Sequence, residues 1–525
     1  MSEYCFRLQG MLKSLIMKEL LSIIPRPVSI EYKKGSFQSS GLPTIRGDED
    51  FHREIETVTG QLRQDTNKIE GGSPNGALNT VICNKADWET VNDETYRLVI
   101  SEENITVEAV SAKGMYHGLQ TFRQLVLSEY RQGETFTLPC LEITDYPRFT
   151  WRGLMLDCSR HFYSVSFIKR LIDVLSLHHV NRFHWHLTDD QGWRFPVEGY
   201  PLLTEIGSRR QEIRKPGLPY TGGIYHEDEI REIVSYAASR HIEIIPEVDL
   251  PGHASAILAS YPGLGCTGGP YRVEDRHGIF DDVLCAGNDQ IFDLAEKVFD
   301  ALARLFPSSF VHIGGDEVRY VRWQACPKCQ RRLEVLGLKK TEELQSWITH
   351  RLVQLLAERG KTAIGWDEIL DASEKFPLHK ETAVMSWRGN DGGIRAARLG
   401  HPVIMSPCTD GCYLDYRQSD DPEEPGQMFG GASAAYNSYT MDPVTPEMTE
   451  DEASRVLGGQ GNLWSELIYA DKIAEYMIFP RLCAIAEAVW TPREGRNFDD
   501  FSRRLTVHRK RLDRLGLLQY RGPLR

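Results

Sequence analysis

Asp316 and Glu317 stand side by side in the stretch Val311-His312-Ile313-Gly314-Gly315-Asp316-Glu317-Val318, which an apolar run from Phe310 to Ile313 enters. Two adjacent carboxylates repel each other, which tends to raise the pKa of one and keep it protonated. A proton donor beside an anion is what acid-catalysed cleavage of an acetal or glycoside needs. Alternation with a period of two predicts His312, Gly314 and Asp316 on one face and Val311 and Ile313 on the other. An isolated Asp-Glu pair at a strand end is more often merely solvated. The double glycine, which frees the backbone, and the pattern of the rest of the chain argue against that reading here.

From Trp151 onward the sequence alternates strand, polar cluster and helix. Strands are predicted over 153–156, 182–187, 242–248, 310–313, 362–365, 383–387, 403–406 and 456–462, with helical spacing between most of them, as in Phe167, Ile168, Leu171, Ile172 and Leu175. Eight such repeats indicate a (β/α)₈ barrel, whose chemistry sits just after the strands. A doubly wound open sheet is the runner-up, but no Gly-x-Gly-x-x-Gly follows a strand. Candidate groups do follow the strands in turn: Asp157 and Arg160; His186, Asp189 and Asp190; Asp249 and His253; Asp316 and Glu317; Trp366, Asp367 and Glu368; Trp387; Tyr413 and Asp415; Trp464 and Glu466. One tryptophan at a strand end is ordinarily core. Trp366, Trp387 and Trp464 at equivalent ends, interleaved with carboxylates, favour a pocket that stacks on sugar rings.

Residues 22–148 read as a smaller α+β domain, with half-buried strands at 28–32, 96–100 and 105–110, and a helix from Ala112 to Leu127. Residues 57–76 are polar and expected as a surface loop. The domains expected are thus a 1–21 extension, the 22–148 accessory domain, a 149–515 catalytic barrel and a 516–525 tail. Among 525 residues there are 61 Lys and Arg against 74 Asp and Glu, a net charge of −13, which disfavours nucleic acid or an anionic membrane as the partner. Eleven cysteines without small-domain spacing suit a reducing compartment, and no signal peptide or spanning segment is evident, so a cytoplasmic enzyme is expected.

His312-Ile-Gly-Gly-Asp-Glu resembles the His-x-Gly-Gly-Asp-Glu signature of glycoside hydrolase family 20, the β-N-acetylhexosaminidases. Further matches are Arg152-Gly with Asp157-x-Ser-Arg160-His, His184-Trp-His-Leu-Thr-Asp-Asp-Gln, Pro246-Glu-Val-Asp-x-Pro-Gly-His253, Gly365-Trp-Asp-Glu and Gln460-Gly-Asn-Leu-Trp-Ser-Glu466. The resemblance runs from about residue 22 to 515 and implies an α+β domain before a (β/α)₈ barrel. It also changes the chemistry expected of the carboxylate pair, because in that family the substrate's 2-acetamido oxygen is the nucleophile. By resemblance, Glu317 is the general acid and base, Asp316 orients the acetamido group and steadies positive charge, and Tyr413 holds the acetamido oxygen. Arg160 and Glu466 would hold the sugar O3 and O4, Asp415 would reach O6, and Trp366, Trp387 and Trp464 would line the pocket. Asp189 or Asp190 would pair with His253 to support the acid.

One departure concerns the loop after strand seven, where many members carry a further Trp. Here it reads Met428-Phe-Gly-Gly-Ala-Ser-Ala-Ala-Tyr-Asn-Ser-Tyr, and Phe429, Tyr436 and Tyr439 are the candidates to replace it. Cys326-Pro-Lys-Cys329 with Cys408-x-x-x-Cys412 could offer four thiolates to zinc. That turn occurs in the family without metal, so neither metal nor cofactor is expected. His178 and His179 end a helix, where positive charge suits the dipole. His186 is either a pocket residue or a packed, hydrogen-bonded histidine, and His312 faces the barrel interior. The activity expected is exo-acting release of β-linked GlcNAc or GalNAc from oligosaccharides or glycoconjugates. The alternatives are a disaccharide-releasing relative and a non-catalytic amino-sugar-binding protein.

Overall fold

The computed structural model describes residues 21–69, 80–130, 135–212, 220 and 222–525. Its first part is a six-stranded mixed sheet of β1 (Ser29–Ser39), β2 (Thr44–Gly47), β3 (Thr80–Lys85), β4 (Tyr96–Ile100), β5 (Ile105–Ala109) and β6 (Phe136–Asp145), in the order β1-β6-β4-β5-β3-β2. Helices His52–Ile69 and Ala112–Glu129 pack with the sheet around one apolar cluster. The first helix overturns the loop expected at 57–76: residues up to Ile69 are helical, and 70–76 lie outside the described residues. Ile55, Val58 and Leu62 supply its buried stripe, while Gln61 and Asp65 face the second helix and accept hydrogen bonds from Gln120 (2.7 Å) and Arg123 (2.7 Å). A polar sequence therefore hides a buried face whose polar groups are paired.

The rest of the chain closes a parallel barrel. Its strands are β7 (Trp151–Asp157), β8 (Arg182–His186), β11 (Glu243–Glu247), β12 (Phe310–His312), β13 (Thr362–Trp366), β14 (Ala383–Ser386), β15 (Val403–Met405) and β16 (Val456–Leu463), with a short hairpin of β9 (Thr188–Asp189) and β10 (Gly192–Trp193) after β8. Each of the eight ends within two residues of its predicted bounds. Alternate residues part to two sides, as the pleat requires. Met155, Ile245, Ile364 and Ile404 fill the barrel, whereas Leu154, Ile244, Val311 and Ile313 meet the surrounding helices.

The sheet domain engages the amino-terminal end of the barrel strands. Arg152 donates to Glu94 (3.2 Å), and Trp490, at the end of helix Arg481–Trp490, donates to Asp145 (3.1 Å) and joins the sheet domain's core. His178 and His179 lie near this junction, and the charged reading of them is corrected. Both are buried, and burial lowers both pKa values, that of His178 to about 4, so they pack as neutral rings. The last residues fold back onto the barrel, where Tyr520 N–H donates to Phe479 O (3.0 Å) and Tyr436 N–H to Leu524 O (2.8 Å). Among the described residues no helix is long and apolar enough to cross a membrane.

Candidate active site

The turn after β12 is built by its glycines. The strand ends at His312, and Gly314 (φ 67°) and Gly315 (φ 96°) adopt left-handed conformations that side-chain-bearing residues disfavour. A Cβ on Gly314 would lie 1.8 Å from Asp249 Oδ1, the oxygen that accepts the Gly315 N–H at 3.0 Å. Strict alternation thus fails beyond Ile313: the turn, not the strand pleat, aims Asp316. Glu317 itself sits at φ 52°, a strained setting for a non-glycine residue of the kind that clusters at functional sites.

The two carboxylates meet one histidine. His253 Nε2 lies 3.6 Å from Asp316 and 3.5 Å from Glu317, and its Nδ1 lies 3.1 Å from both Asp189 and Asp190. The question of which aspartate supports His253 therefore has the answer both. Burial alone would lower the His253 pKa, but the surrounding carboxylates, Asp189 first, outweigh it and hold the ring protonated. Asp316 shows the opposite balance. Its burial, reinforced by Asp249, Glu317 and Glu247, raises its pKa well above the usual carboxylate range despite His253.

A cavity of about 730 Å³ opens over this pair. Arg160, Asp415 and Glu466 form one polar part of its wall. Arg160 is tied back to Asp189 (2.8 Å), Asp157 (3.2 Å) and Gln191 (2.9 Å), and its guanidinium lies 5.0 Å from the Trp464 ring. Asp415 and Glu466 are raised in pKa chiefly by burial, and each keeps a carboxylate oxygen without a protein partner, as does Asp316. The aromatic wall is Trp387 stacked on Tyr413 (centroids 6.0 Å, planes 13° apart), with Trp464 6.4 Å from Tyr413. Trp387 is anchored by its indole N–H to Glu368 (2.8 Å) and by its backbone N–H to Asp367 (2.9 Å), so both acidic residues brace neighbouring loops.

Beneath the cavity lies a closed polar floor. Glu247, at the end of β11, is within 2.9 Å of His184, 2.5 Å of His186 and 2.9 Å of His312, and it accepts the Trp366 indole N–H at 2.9 Å. His186 is fully buried and spans Glu247 and Asp189 (2.9 Å), which makes it a packed histidine.

Several expected pocket residues are thereby relocated. Trp366 has no exposed surface and backs Trp464 (centroids 5.8 Å) instead of lining the cavity, because its indole is drawn down to Glu247. Asp189 and Asp190, the alternatives expected beside His253, both grip it from behind the wall. Of the three aromatic candidates after strand seven, Phe429 borders the cavity, 64% exposed and 6.0 Å from Tyr416. Tyr436 packs on Phe498, and Tyr439 is buried against Phe501. Lining residues missed by sequence reasoning are His277, Gly278 and Ile279, Arg319, Tyr416 and Gln427. Tyr416 could have been found beside Tyr413 and Asp415; the 277–279 segment, deep in a long loop, carries no motif. The proposed partnership of Cys326 and Cys329 with Cys408 and Cys412 is also corrected. The first two meet Cys266 and Cys285, whereas Cys408 packs with the barrel interior cluster and Cys412 lies in the outer core.

Comparison with known proteins gives a consistent result. The family model described as "Glycosyl hydrolase family 20, catalytic domain" matches residues 149–493, and "Glycosyl hydrolase family 20, domain 2" matches residues 20–146. A β-hexosaminidase of Porphyromonas gingivalis is 40% identical over 96% of this chain, which spans 65% of that relative's length. One from Vibrio furnissii is 34% identical over 89% of the chain and 76% of its own length. Among solved structures, an exo-β-N-acetylglucosaminidase of Vibrio harveyi in complex with N-acetylglucosamine superposes with a TM-score of 0.85 at 34% identity, covering 96% of this chain and 78% of that one. A mutant Streptomyces plicatus β-hexosaminidase in complex with GlcNAc gives 0.83 at 31% identity, over 96% and 97% of the two chains.

Proposed function

The chain belongs to glycosyl hydrolase family 20, and from that premise we propose that it is an exo-acting β-N-acetylhexosaminidase that removes terminal, non-reducing β-linked GlcNAc or GalNAc with retention of configuration. The observation that carries the reading is the set of buried carboxylate oxygens left without protein partners around one cavity, on Asp316, Asp415 and Glu466. Buried acceptors are normally satisfied, so three facing one space imply a ligand rich in hydroxyl and amide donors. The wall also grades from buried polar residues to an exposed rim at Phe429 and Ile279, which suits one sugar held at a closed end. Enzymes of this family named in the comparisons hold GlcNAc.

In this mechanism Glu317 protonates the glycosidic oxygen while the substrate's acetamido oxygen attacks the anomeric carbon. The C1–O bond to the leaving group breaks, and an oxazolinium ion forms. Asp316 accepts the acetamido N–H. In the resting pocket its raised pKa favours the protonated form; a donated N–H and the growing positive charge both favour the carboxylate. Tyr413 holds the acetamido oxygen, with Trp387 and Trp464 enclosing the methyl group and ring. Glu317 then takes a proton from water as the water oxygen attacks C1, the ring C1–O bond of the oxazolinium ion breaks, and the acetamido group is restored. Throughout, the protonated His253 faces both carboxylates and steadies whichever carries the charge. Aryl β-glycosides of GlcNAc and GalNAc, assayed with wild type and Asp316→Asn, test this reading. Loss of activity on both, with a thiazoline mimic of the intermediate inhibiting wild type, supports it, and an unimpaired variant would sink it.

A further inference from the structure

Beside the active site, four cysteines from two separate loops converge. Cys266 follows the turn at Pro262–Leu264, and Cys285 lies on the return of the same loop, held by its N–H to Leu264 O (2.8 Å). Cys326 precedes helix Pro327–Val335 and Cys329 sits in its first turn. The sulfurs approach at 3.7 Å (Cys266–Cys329), 3.8 Å (Cys285–Cys326) and 3.5 Å (Cys285–Cys329), and all four lie within 4.8 Å of one another. A disulfide would bring two of them to about 2 Å. Here Cys285 stands almost equally far from two partners, so no pairing is singled out. A tetrahedron of thiolates at a zinc–sulfur distance of about 2.3 Å has edges of about 3.8 Å, close to these three distances.

We propose that Cys266, Cys285, Cys326 and Cys329 bind a single Zn²⁺ as a closed tetrathiolate site that clamps the loop after β11 to the helix following Asp316 and Glu317. Four sulfur ligands in tetrahedral array select zinc among the common divalent ions and leave no position open for water, so the role is structural. The surroundings suit thiolates. Cys326 and Cys329 occupy the positive end of a helix, and the Gly287 N–H hydrogen-bonds the Cys285 sulfur. Gly287 has to be glycine for this approach, since a Cβ there would lie 2.2 Å from the Lys328 backbone. Three of the four cysteines are buried and Cys266 is partly so, which leaves a short path for the ion to enter.

The clamp matters because the segment between Cys266 and Cys285 brings His277, Gly278 and Ile279 to the cavity wall. Pinning both of its ends to the element after β12 fixes that wall relative to Glu317. The test is metal analysis of the full chain purified in metal-free buffer, with mercurial titration of its thiols. About one zinc per chain, released as the mercurial reacts, is the expected result, together with retention of zinc in Cys408→Ser and its loss in Cys285→Ser. Where Cys285→Ser fails to fold, exchange of the wild-type ion for Co²⁺ replaces it, and a sulfur-to-cobalt charge-transfer band is expected. Absence of metal, iron in place of zinc, or peptide mapping that finds disulfides among these four residues would overturn the proposal.

Discussion

The cavity and the floor beneath it are both lined by buried carboxylates, yet the two regions are wired in opposite ways. On the floor, Glu247 meets three histidines and an indole N–H, and these partners overcome burial to hold its pKa well below the ordinary carboxylate value. In the cavity, Asp316 and Asp415 are nearly as enclosed and Glu466 is partly exposed, each keeps one carboxylate oxygen without a protein partner, and burial raises all three. A satisfied buried charge fixes structure; an unsatisfied one is kept for something that arrives later. Asp189 joins the regions, since it bonds His186 on the floor and His253 and Arg160 at the wall.

Substitutions on the two sides should separate catalysis from stability. Glu317→Gln should lower turnover of substrates with poor leaving groups by about 10²–10⁴-fold while leaving the urea unfolding midpoint near wild type. Glu247→Gln should do the reverse first. Loss of the floor's anion takes from the buried, protonated His186 its Glu247 partner, and breaking such a buried pair costs about 3–5 kcal/mol, to be read from denaturant unfolding. Equal midpoints for the two variants would erase the distinction.

Asp249, between the regions, offers a pH test. Burial raises its pKa to about 7, so the folded protein holds a proton that the unfolded chain releases near pH 4. Between about pH 4 and 7 the native state binds more protons, and this group's contribution to stability falls as pH rises, flattening above 7. Asp249→Asn should reduce that slope in melting temperature measured against pH. The smallest effect belongs to the rim. Phe429→Ala should raise KM for a β-linked disaccharide by about tenfold or less, the scale of one aromatic contact at about 0.5–1.5 kcal/mol, without changing inhibition by free GlcNAc.

The barrel was legible in the sequence because eight strand-like segments recur with helical spacing between most of them, and chemistry-bearing residues follow the same end of the strands. The wiring was not. Trp366 closes its strand and Trp464 directly follows its own, and the reach of an indole N–H to Glu247 draws the first to the floor while the second stays at the cavity. The helix His52–Ile69 escaped notice because Gln61 and Asp65 look solvent-facing until their partners on another helix are known. The turn at Cys326 and Cys329 was visible, but its partners Cys266 and Cys285 lie in a loop after a different strand, and spacing along the chain does not encode their meeting.

The most direct test of the account concerns the nucleophile. Aryl glycosides carrying N-acetyl, N-fluoroacetyl, N-difluoroacetyl and N-trifluoroacetyl groups weaken the acetamido oxygen stepwise while preserving the leaving group. A steep fall in kcat/KM with each fluorine is the predicted result, because the oxygen whose attack forms the oxazolinium ion then limits the rate. A flat series would contradict the account and return the nucleophile to a carboxylate of the protein.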